Sequence, residues 1–117
     1  MAVLKYKLTI LQGESFDKTF TWKAGLPPVP VDLTGCTARM HIRSDIRAAT
    51  PAIELSTENG RIVLGGAAGT IRLKLSATET SSLNISQGVY DLEIVYPDGR
   101  VRRFAAGAVS VSPEVTR

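Results

Sequence analysis

Apolar side chains recur at every second position along most of this chain, and this alternation limits what it can fold into. The clearest case is the segment 36–43, where Cys36, Ala38, Met40 and Ile42 alternate with polar neighbours. Successive side chains of a β-strand point to opposite faces, so the pattern predicts strands with one buried face. No long stretch has the spacing of an amphipathic helix. We therefore expect an all-β domain.

The number of alternating segments predicts how the strands are arranged. Seven or eight short strands, separated by frequent turn signals, predict a β-sandwich or a small barrel. A chain of 117 residues fits one domain, so we expect a single unit over residues 1–117. The sequence Gly88-Val89-Tyr90-Asp91-Leu92 has the form of a tyrosine corner, in which the hydroxyl of Tyr90 bonds backbone near the turn into the strand. This motif favours an immunoglobulin-like antiparallel sandwich.

One turn signal predicts a hairpin in the middle of the chain. Asn59-Gly60 is typical of a two-residue hairpin loop. Such a loop places Glu58 opposite Arg61 and Leu55 opposite Leu64, which pairs opposite charges and apolar side chains. The glycine-rich segment 65–69 then reads as a flexible turn.

A second hairpin is predicted after Tyr96. A three-residue loop with Gly99 in the left-handed conformation keeps the apolar residues on one face. The resulting register pairs Leu92 with Phe104 and Glu93 with Arg103. Because the apolar parity changes further along this last strand, we expect a β-bulge near Gly107.

Several residues are predicted to have structural roles. Trp22, Tyr90 and Phe104 fall on inward positions, and Gly99 is needed for the turn. Ser76 and Glu79 have the spacing of a capping box, which predicts one short helical turn near residues 77–83 that crosses between the sheets.

The sequence offers no constellation for catalysis, a metal or a cofactor. His41 and Cys36 are the only histidine and cysteine, and their parity puts them on opposite faces of one strand. No Cys/His cluster with zinc spacing occurs. The glycine-rich segment 65–69 resembles a phosphate loop, but no lysine or helix follows it. We expect a protein that is not an enzyme.

The charge distribution argues against nucleic-acid binding. The net charge is only +3. The outward basic residues form two stripes, one with Arg39 and Arg43 and the other with Arg72 and Lys74. In a sandwich these strands belong to opposite sheets, so the stripes face away from each other. No exposed aromatic pattern accompanies them for base stacking.

The N-terminus and the cysteine content indicate where the chain folds. Lys5 and Lys7 interrupt the first apolar run, so a signal peptide is not expected. No apolar run is long enough to span a membrane, and a single cysteine cannot form an intrachain disulfide. We expect folding in the cytoplasm and no membrane insertion.

Three groups of residues resemble a known family. They are the segment Gln12-Gly13-Glu14-Ser15-Phe16 with Phe20-Thr21-Trp22, the segment 30–40, and the later segment 88–92 with Pro97-Asp98-Gly99. In these the chain resembles small tail proteins of phages and prophages. It is more distantly similar to the N-terminal domain of upper baseplate proteins from phages of Gram-positive hosts. Those proteins continue into a region that leads to the receptor-binding module, whereas this sequence stops at Arg117, so the resemblance does not extend to a direct receptor-binding role.

The resemblance implies a virion structural protein at the tail tip or baseplate, which docks to other tail proteins and self-associates in the particle. It implies no small-molecule substrate. The candidate contact residues are Pro27 and Pro28, in a predicted loop over residues 24–30, together with Arg39, Arg43, Arg47, Arg72 and Lys74. One alternative is a module that binds carbohydrate or a host surface, which exposed Tyr6 or Tyr96 beside a groove would favour. The other is a prophage-encoded regulatory protein.

Overall fold

The computed structural model describes residues 3–116, which form mainly strands and turns. Met1, Ala2 and Arg117, the ends of the predicted domain, lie outside the described residues. Within the described part there is one α-helix, α1 (Ala77–Ser81), and one 3₁₀ turn at Gly66–Ala68. The strands are β1 (Leu4–Lys5), β2 (Leu8–Leu11), β3 (Phe16–Thr21), β4 (Lys23–Ala24), β5 (Val29–Pro30), β6 (Thr37–Arg43), β7 (Ile53–Ser56), β8 (Ile62–Leu64), β9 (Thr70–Leu75), β10 (Gln87–Val95) and β11 (Val101–Ser112). The predicted all-β fold is confirmed.

The longer strands form two sheets that share one buried core. The first sheet has the order β1–β11–β10–β6–β7, with β2 also paired to β11, and the second has the order β3–β9–β8. Every second residue of β6, β9 and β10 is buried, because alternate side chains face the core. Fully buried side chains from the strands of both sheets are Leu8, Ile10, Met40, Ile42, Leu55, Ile62, Ile71, Leu73, Leu92, Ile94 and Val109. The two sheets form the predicted β-sandwich, although the described part has eleven strands where seven or eight were predicted.

The N-terminal strands differ from the predicted antiparallel arrangement. β1 and β2 both run parallel to β11, with Leu4 beside Ala105 and Leu8 beside Val109. The other strand pairings of the described residues are antiparallel. The chain thus enters the first sheet beside its last strand, and among residues 3–116 no N-terminal strand lies next to β3.

The hairpin between β10 and β11 has the predicted three-residue loop. The amide of Tyr96 donates to the carbonyl of Arg100 at 2.8 Å. Gly99 has a φ of 92°, a conformation that favours glycine. Glu93 faces Arg103, as predicted.

The β-bulge lies earlier in β11 than predicted. Leu92 faces Ala105 instead of Phe104, because the register shifts by one residue at this point. Phe104 and Ala105 are consecutive and both buried, as an extra residue in one strand requires. Gly107 has a different role. A Cβ atom there would lie 2.2 Å from the carbonyl oxygen of Tyr6, so the glycine allows the N-terminal backbone to approach β11.

Tyr90 is buried, but the predicted hydrogen bond of a tyrosine corner is wrong. Its hydroxyl donates to the carbonyl of Tyr6 at 2.7 Å rather than to backbone near the turn into β10. The amide of Tyr6 in turn donates to the carbonyl of Ala106 at 3.1 Å. These two bonds hold the N-terminal segment on β11. Burial raises the pKa of Tyr90 to about 12.

The predicted hairpin at Asn59-Gly60 is also wrong. β7 pairs with β6 in the first sheet, where Leu55 lies beside Met40. β8 pairs with β9 in the second sheet, where Leu64 lies beside Ile71. The turn therefore carries the chain between the sheets. β7 pairs with the longer strand β6, and β8 pairs with the longer strand β9, instead of pairing with each other. The gain in buried surface outweighs the local preference of Asn59-Gly60 for a hairpin turn.

The segment 65–69 is more ordered than a flexible turn. It contains the 3₁₀ turn and takes part in two backbone hydrogen bonds with the chain that follows β3. The amide of Leu33 donates to the carbonyl of Gly66 at 2.9 Å, and the amide of Trp22 donates to that of Gly69 at 2.8 Å. The turn between β8 and β9 is therefore tied to the loop between β3 and β6.

The predicted capping box and helical turn are confirmed, although α1 ends two residues earlier than predicted. The hydroxyl of Ser76 accepts from the amide of Glu79 at 3.1 Å, and the carboxylate of Glu79 accepts from the amide of Ser76 at 2.8 Å. As predicted, α1 connects β9 in the second sheet to β10 in the first.

Candidate docking surfaces

The basic residues of β6 lie on the outer face of the first sheet, and the two arginines have partners there. Arg39 Nε donates to Glu93 Oε1 on β10 at 2.8 Å. Arg43 Nη1 donates to the carbonyl of Ala48 at 3.0 Å, which holds the connection between β6 and β7. These candidate contact residues therefore stabilise the face and its loop, and they do not form a row of unpaired cations.

Two further contacts between basic and acidic side chains extend this pattern across the sheet. His41 Nε2 lies 3.4 Å from Glu54 Oε1 on β7, and Arg103 Nε on β11 lies 3.6 Å from Asp91 Oδ2 on β10. Positive and negative side chains thus alternate between neighbouring strands. All four side chains are at least 40 % exposed, so each pair adds less than about 1 kcal/mol to the free energy of unfolding. The face is polar and balanced in charge.

The second basic stripe lies on β9 in the opposite sheet, as predicted. Arg72 binds Asp17 on β3 through two hydrogen bonds, at 2.9 and 2.5 Å. The hydrogen bond from Arg72 holds the pKa of the Asp17 carboxyl below its usual value. Lys74 is exposed on the same side of β9. The two stripes do not form one continuous basic surface.

The connection between β6 and β7 presents a mixed surface. The side chain of Arg47 is exposed, and its amide donates to Asp45 Oδ1 at 2.6 Å. Ile46 beside it is 85 % exposed. Together with Val89 and Ala108 it lines an open depression of about 860 Å³.

Residues 24–30, predicted as a loop, contain most of a short hairpin. β4 and β5 pair only with each other, with Ala24 beside Val29. Leu26 at its tip is 98 % exposed, and Val29 at the start of β5 is 56 % exposed. The candidate residues Pro27 and Pro28 lie between them and are also exposed. We call residues 23–30 the apolar hairpin.

Trp22 anchors the base of the apolar hairpin. Its carbonyl accepts from the amide of Val31 at 2.9 Å. Its buried ring packs 5.5 Å from the ring of Phe104, and the guanidinium of Arg102 lies over it, also at 5.5 Å. Within residues 3–116 its Nε1 atom is the buried side-chain polar atom without a hydrogen-bond partner. The packing of this ring outweighs the cost of the unpaired N–H, which is about 1–3 kcal/mol.

Sequence reasoning missed how the free edge of β7 is protected. Asn59 Oδ1 accepts from the amide of Ser56 at 3.0 Å, and Asn59 Nδ2 donates to the carbonyl of Glu54 at 3.1 Å. Arg61 Nη1 donates to the same carbonyl at 2.7 Å. These side chains occupy backbone groups that a further strand would need. We call this side of β7 the capped edge. Its only signal in the sequence is Asn59, which we assigned to a hairpin.

The two reactive side chains do not meet. Cys36 lies half-buried against the core just before β6, and burial raises the pKa of its thiol. His41 lies on the outer face of β6. Within residues 3–116, no three His, Cys, Asp or Glu side chains group as a metal site would need.

No helix of the described part is long and apolar enough to cross a membrane. Comparison with known proteins found no family model and no curated protein that matches this chain.

Proposed function

We propose that this chain is a non-enzymatic structural component of a phage tail tip or baseplate. In this role it is made in the bacterial host cytoplasm and is built into the virion tail through contacts with other tail proteins and with copies of itself. The resemblance of its turn and core residues to small tail proteins supports the proposal. The observation that carries it is the exposed tip of the apolar hairpin.

The apolar hairpin has the properties of a docking element. Leu26 and Val29 lose the benefit of burial while they face water, and burying each of them in a partner gains about 1.5–3 kcal/mol. The hairpin is fixed at its base by the hydrogen bonds and packing of Trp22. Little conformational entropy is therefore lost when the tip enters a pocket.

Purified particles test this proposal. Quantitative mass spectrometry of particles from a producing culture should find the chain together with the tail proteins. The double variant Leu26→Ser/Val29→Ser should enter particles at least about tenfold less, because a tenfold loss needs only about 1.4 kcal/mol.

The matched control is Leu11→Ser/Val101→Ser, which also removes one exposed leucine and one exposed valine, 43 % and 48 % accessible. This control should enter particles normally. The proposal fails if the native chain is absent from particles, or if the two double variants behave alike.

A module that binds surface carbohydrate is the second candidate, because Tyr6 is partly exposed beside a groove of about 370 Å³ between β2 and β3. The position of Lys18 weighs against it. The ammonium of Lys18 lies 4.5 Å from the centre of the Tyr6 ring, so a sugar would have to displace it to stack there. Binding on a glycan array that Lys18→Ala strengthens and Tyr6→Ala abolishes would favour this candidate.

A further inference from the structure

β3 has an unoccupied hydrogen-bonding edge. In an antiparallel pair, alternate residues bond the partner strand, and the others direct their N–H and C=O groups away from it. The bond from the Trp22 amide to Gly69 sets this alternation for β3 and β9. The outward backbone groups are therefore those of Asp17, Thr19 and Thr21. Among residues 3–116 no strand lies on that side of β3.

We call these three positions the open edge. β3 and β8 are the edge strands of the second sheet, and β7 is an edge strand of the first. β3 has six residues, whereas β7 has four and β8 has three, so β3 is the longest of these three edges. Within the described residues 3–116, no side-chain bond of the kind that Asn59 makes to the capped edge protects it. The Asp17 carboxylate, the side chain best placed to do so, is instead held by Arg72. An edge of this length is a template for another strand.

We propose that the open edge binds the open edge of a second copy of this chain. The two β3 strands run antiparallel about a two-fold axis, and the two three-stranded sheets become one sheet of six. In the tail-assembly role proposed above, one partner of the chain is thus a second copy of itself. The biological purpose of the pairing rests on that role. Its test in solution is separate from the particle experiment.

The side chains favour one register. Only even shifts bring outward backbone groups together, and two of them overlap most of β3. One places Lys18 opposite Lys18, which is repulsive. The other places Thr19 opposite Thr19, Asp17 opposite Thr21 and Lys18 opposite Phe20 of the partner copy. This second register puts no like charges opposite each other and sets a cation beside an aromatic ring, a contact that Lys18 already makes within the chain at 5.2 Å.

Sedimentation equilibrium of the purified chain tests the pairing. A small interface of this kind should give a monomer–dimer equilibrium with a Kd on the order of 100 μM. Thr19→Pro removes one outward N–H from each copy without removing a bond to β9. It should raise the Kd at least about tenfold, because two hydrogen bonds are lost per dimer.

Thr19→Lys keeps the amide but places two ammonium groups opposite each other, so it should weaken the dimer as well. The control Thr78→Lys makes the same change at an exposed position of α1. It should dimerise like the native chain. Circular dichroism confirms that each variant is folded, and Thr19→Lys decides the matter if Thr19→Pro unfolds.

Amide hydrogen exchange tests which strand edge forms the dimer. Raising the protein concentration should slow exchange at Asp17, Thr19 and Thr21, and leave Lys7 and Thr9 on the edge of the first sheet unchanged. A chain that stays monomeric at about 1 mM overturns the proposal. So does a dimer that both Thr19 variants leave intact, or protection that develops at β2 instead of β3.

Discussion

β7 and β3 are both edge strands, yet the chain treats their exposed backbone groups in opposite ways. On the capped edge, Asn59 bonds the outward amide of Ser56 and the outward carbonyl of Glu54. On the open edge, the equivalent groups of β3 face outward, and no side chain of the described part of the chain caps them. The difference teaches that protection of an edge depends on which loop folds back onto it. The turn after β7 does so, whereas the loop before β3 bends towards α1.

The side of β11 that the N-terminal strands cover gives the largest expected effect. The strands can pair there because Gly107 lets the Tyr6 backbone approach β11. Gly107→Ala places a Cβ within 2.2 Å of the Tyr6 carbonyl oxygen, which must move. We expect the free energy of unfolding to fall by about 3 kcal/mol, measured by urea denaturation. The control Gly60→Ala, where no atom lies within 4 Å of the new Cβ but φ is 78°, should cost only about 1 kcal/mol. Equal losses would mean that close approach is not the function of Gly107.

The next largest effect is expected from the hydrogen bonds of Thr80, which hold the loop before β3 against α1. Thr80 is fully buried, its hydroxyl oxygen accepts from the amide of Gly13 at 3.0 Å, and it lies 3.0 Å from the carbonyl of Glu14. Thr80→Val leaves those backbone groups without a partner. Stability should fall by about 2 kcal/mol. Thr78→Val on the exposed side of α1 is the control and should be near neutral. Thermal unfolding of the two variants separates them.

Removing the Asn59 part of the cap makes the capped edge more like the open edge. Asn59→Ala exposes the amide of Ser56 and leaves the carbonyl of Glu54 with Arg61 alone. We expect a loss of about 1 kcal/mol in stability and faster aggregation on prolonged incubation, seen by light scattering. Asn59→Asp keeps the acceptor for Ser56 and should retain part of the protection. Unchanged stability in Asn59→Ala would show that the cap contributes nothing.

Tyr90 tests the bond that holds the N-terminal strands. Tyr90→Phe removes the donor to the Tyr6 carbonyl and should cost about 1 kcal/mol. Because folding raises the pKa of Tyr90 to about 12, the native state disfavours its ionised form. The resulting stabilisation is complete below the unfolded pKa of about 10 and is lost as the pH rises towards 12. Absorbance titration of the folded chain should show one tyrosine that ionises late, and Tyr90→Phe should lack it.

The smallest expected effect is the pH dependence of stability that comes from Glu79. The amide of Ser76 and the side chain of Arg61 lower the pKa of Glu79, and Arg61 also bonds the carbonyl of Glu54. A carboxyl group whose pKa is lowered by folding stabilises the folded state at pH values above its unfolded pKa. This stabilisation is lost as the pH falls through its folded pKa. Urea midpoints between pH 6 and pH 3 should therefore fall more for the native chain than for Glu79→Gln. Parallel curves would contradict this linkage.

Local patterns predicted the strands well. Alternation identified β6, β9 and β10, because each has one face in the core. The capping box predicted α1 because its bonds join residues three apart. In β11 the alternation of apolar residues shifts by one position, which predicted a bulge. Ala105 and Ala106 carry too little apolar surface to show where the shift occurs.

Long-range partners were not predictable in the same way. Asn59-Gly60 promotes a turn, but the choice between a hairpin and a crossing depends on β6 and β9, which lie far away in sequence. The same reason hides the open edge, because Thr19 looks like any outward strand residue until the neighbours of β3 are known. The apolar hairpin was expected as a loop, since β4 and β5 have only two residues each.

The contrast between the two edges is tested most directly by the amide exchange rates of Thr19 and Ser56. The measurement is made on the dilute monomer, at about 10 μM, where the proposed dimer dissociates. We expect Ser56 to exchange slowly because Asn59 binds its amide, and Thr19 to exchange much faster than its neighbour Lys18, whose amide faces β9. Thr19 protected like Lys18, or Ser56 as fast as Thr19, would contradict the distinction between an open and a capped edge.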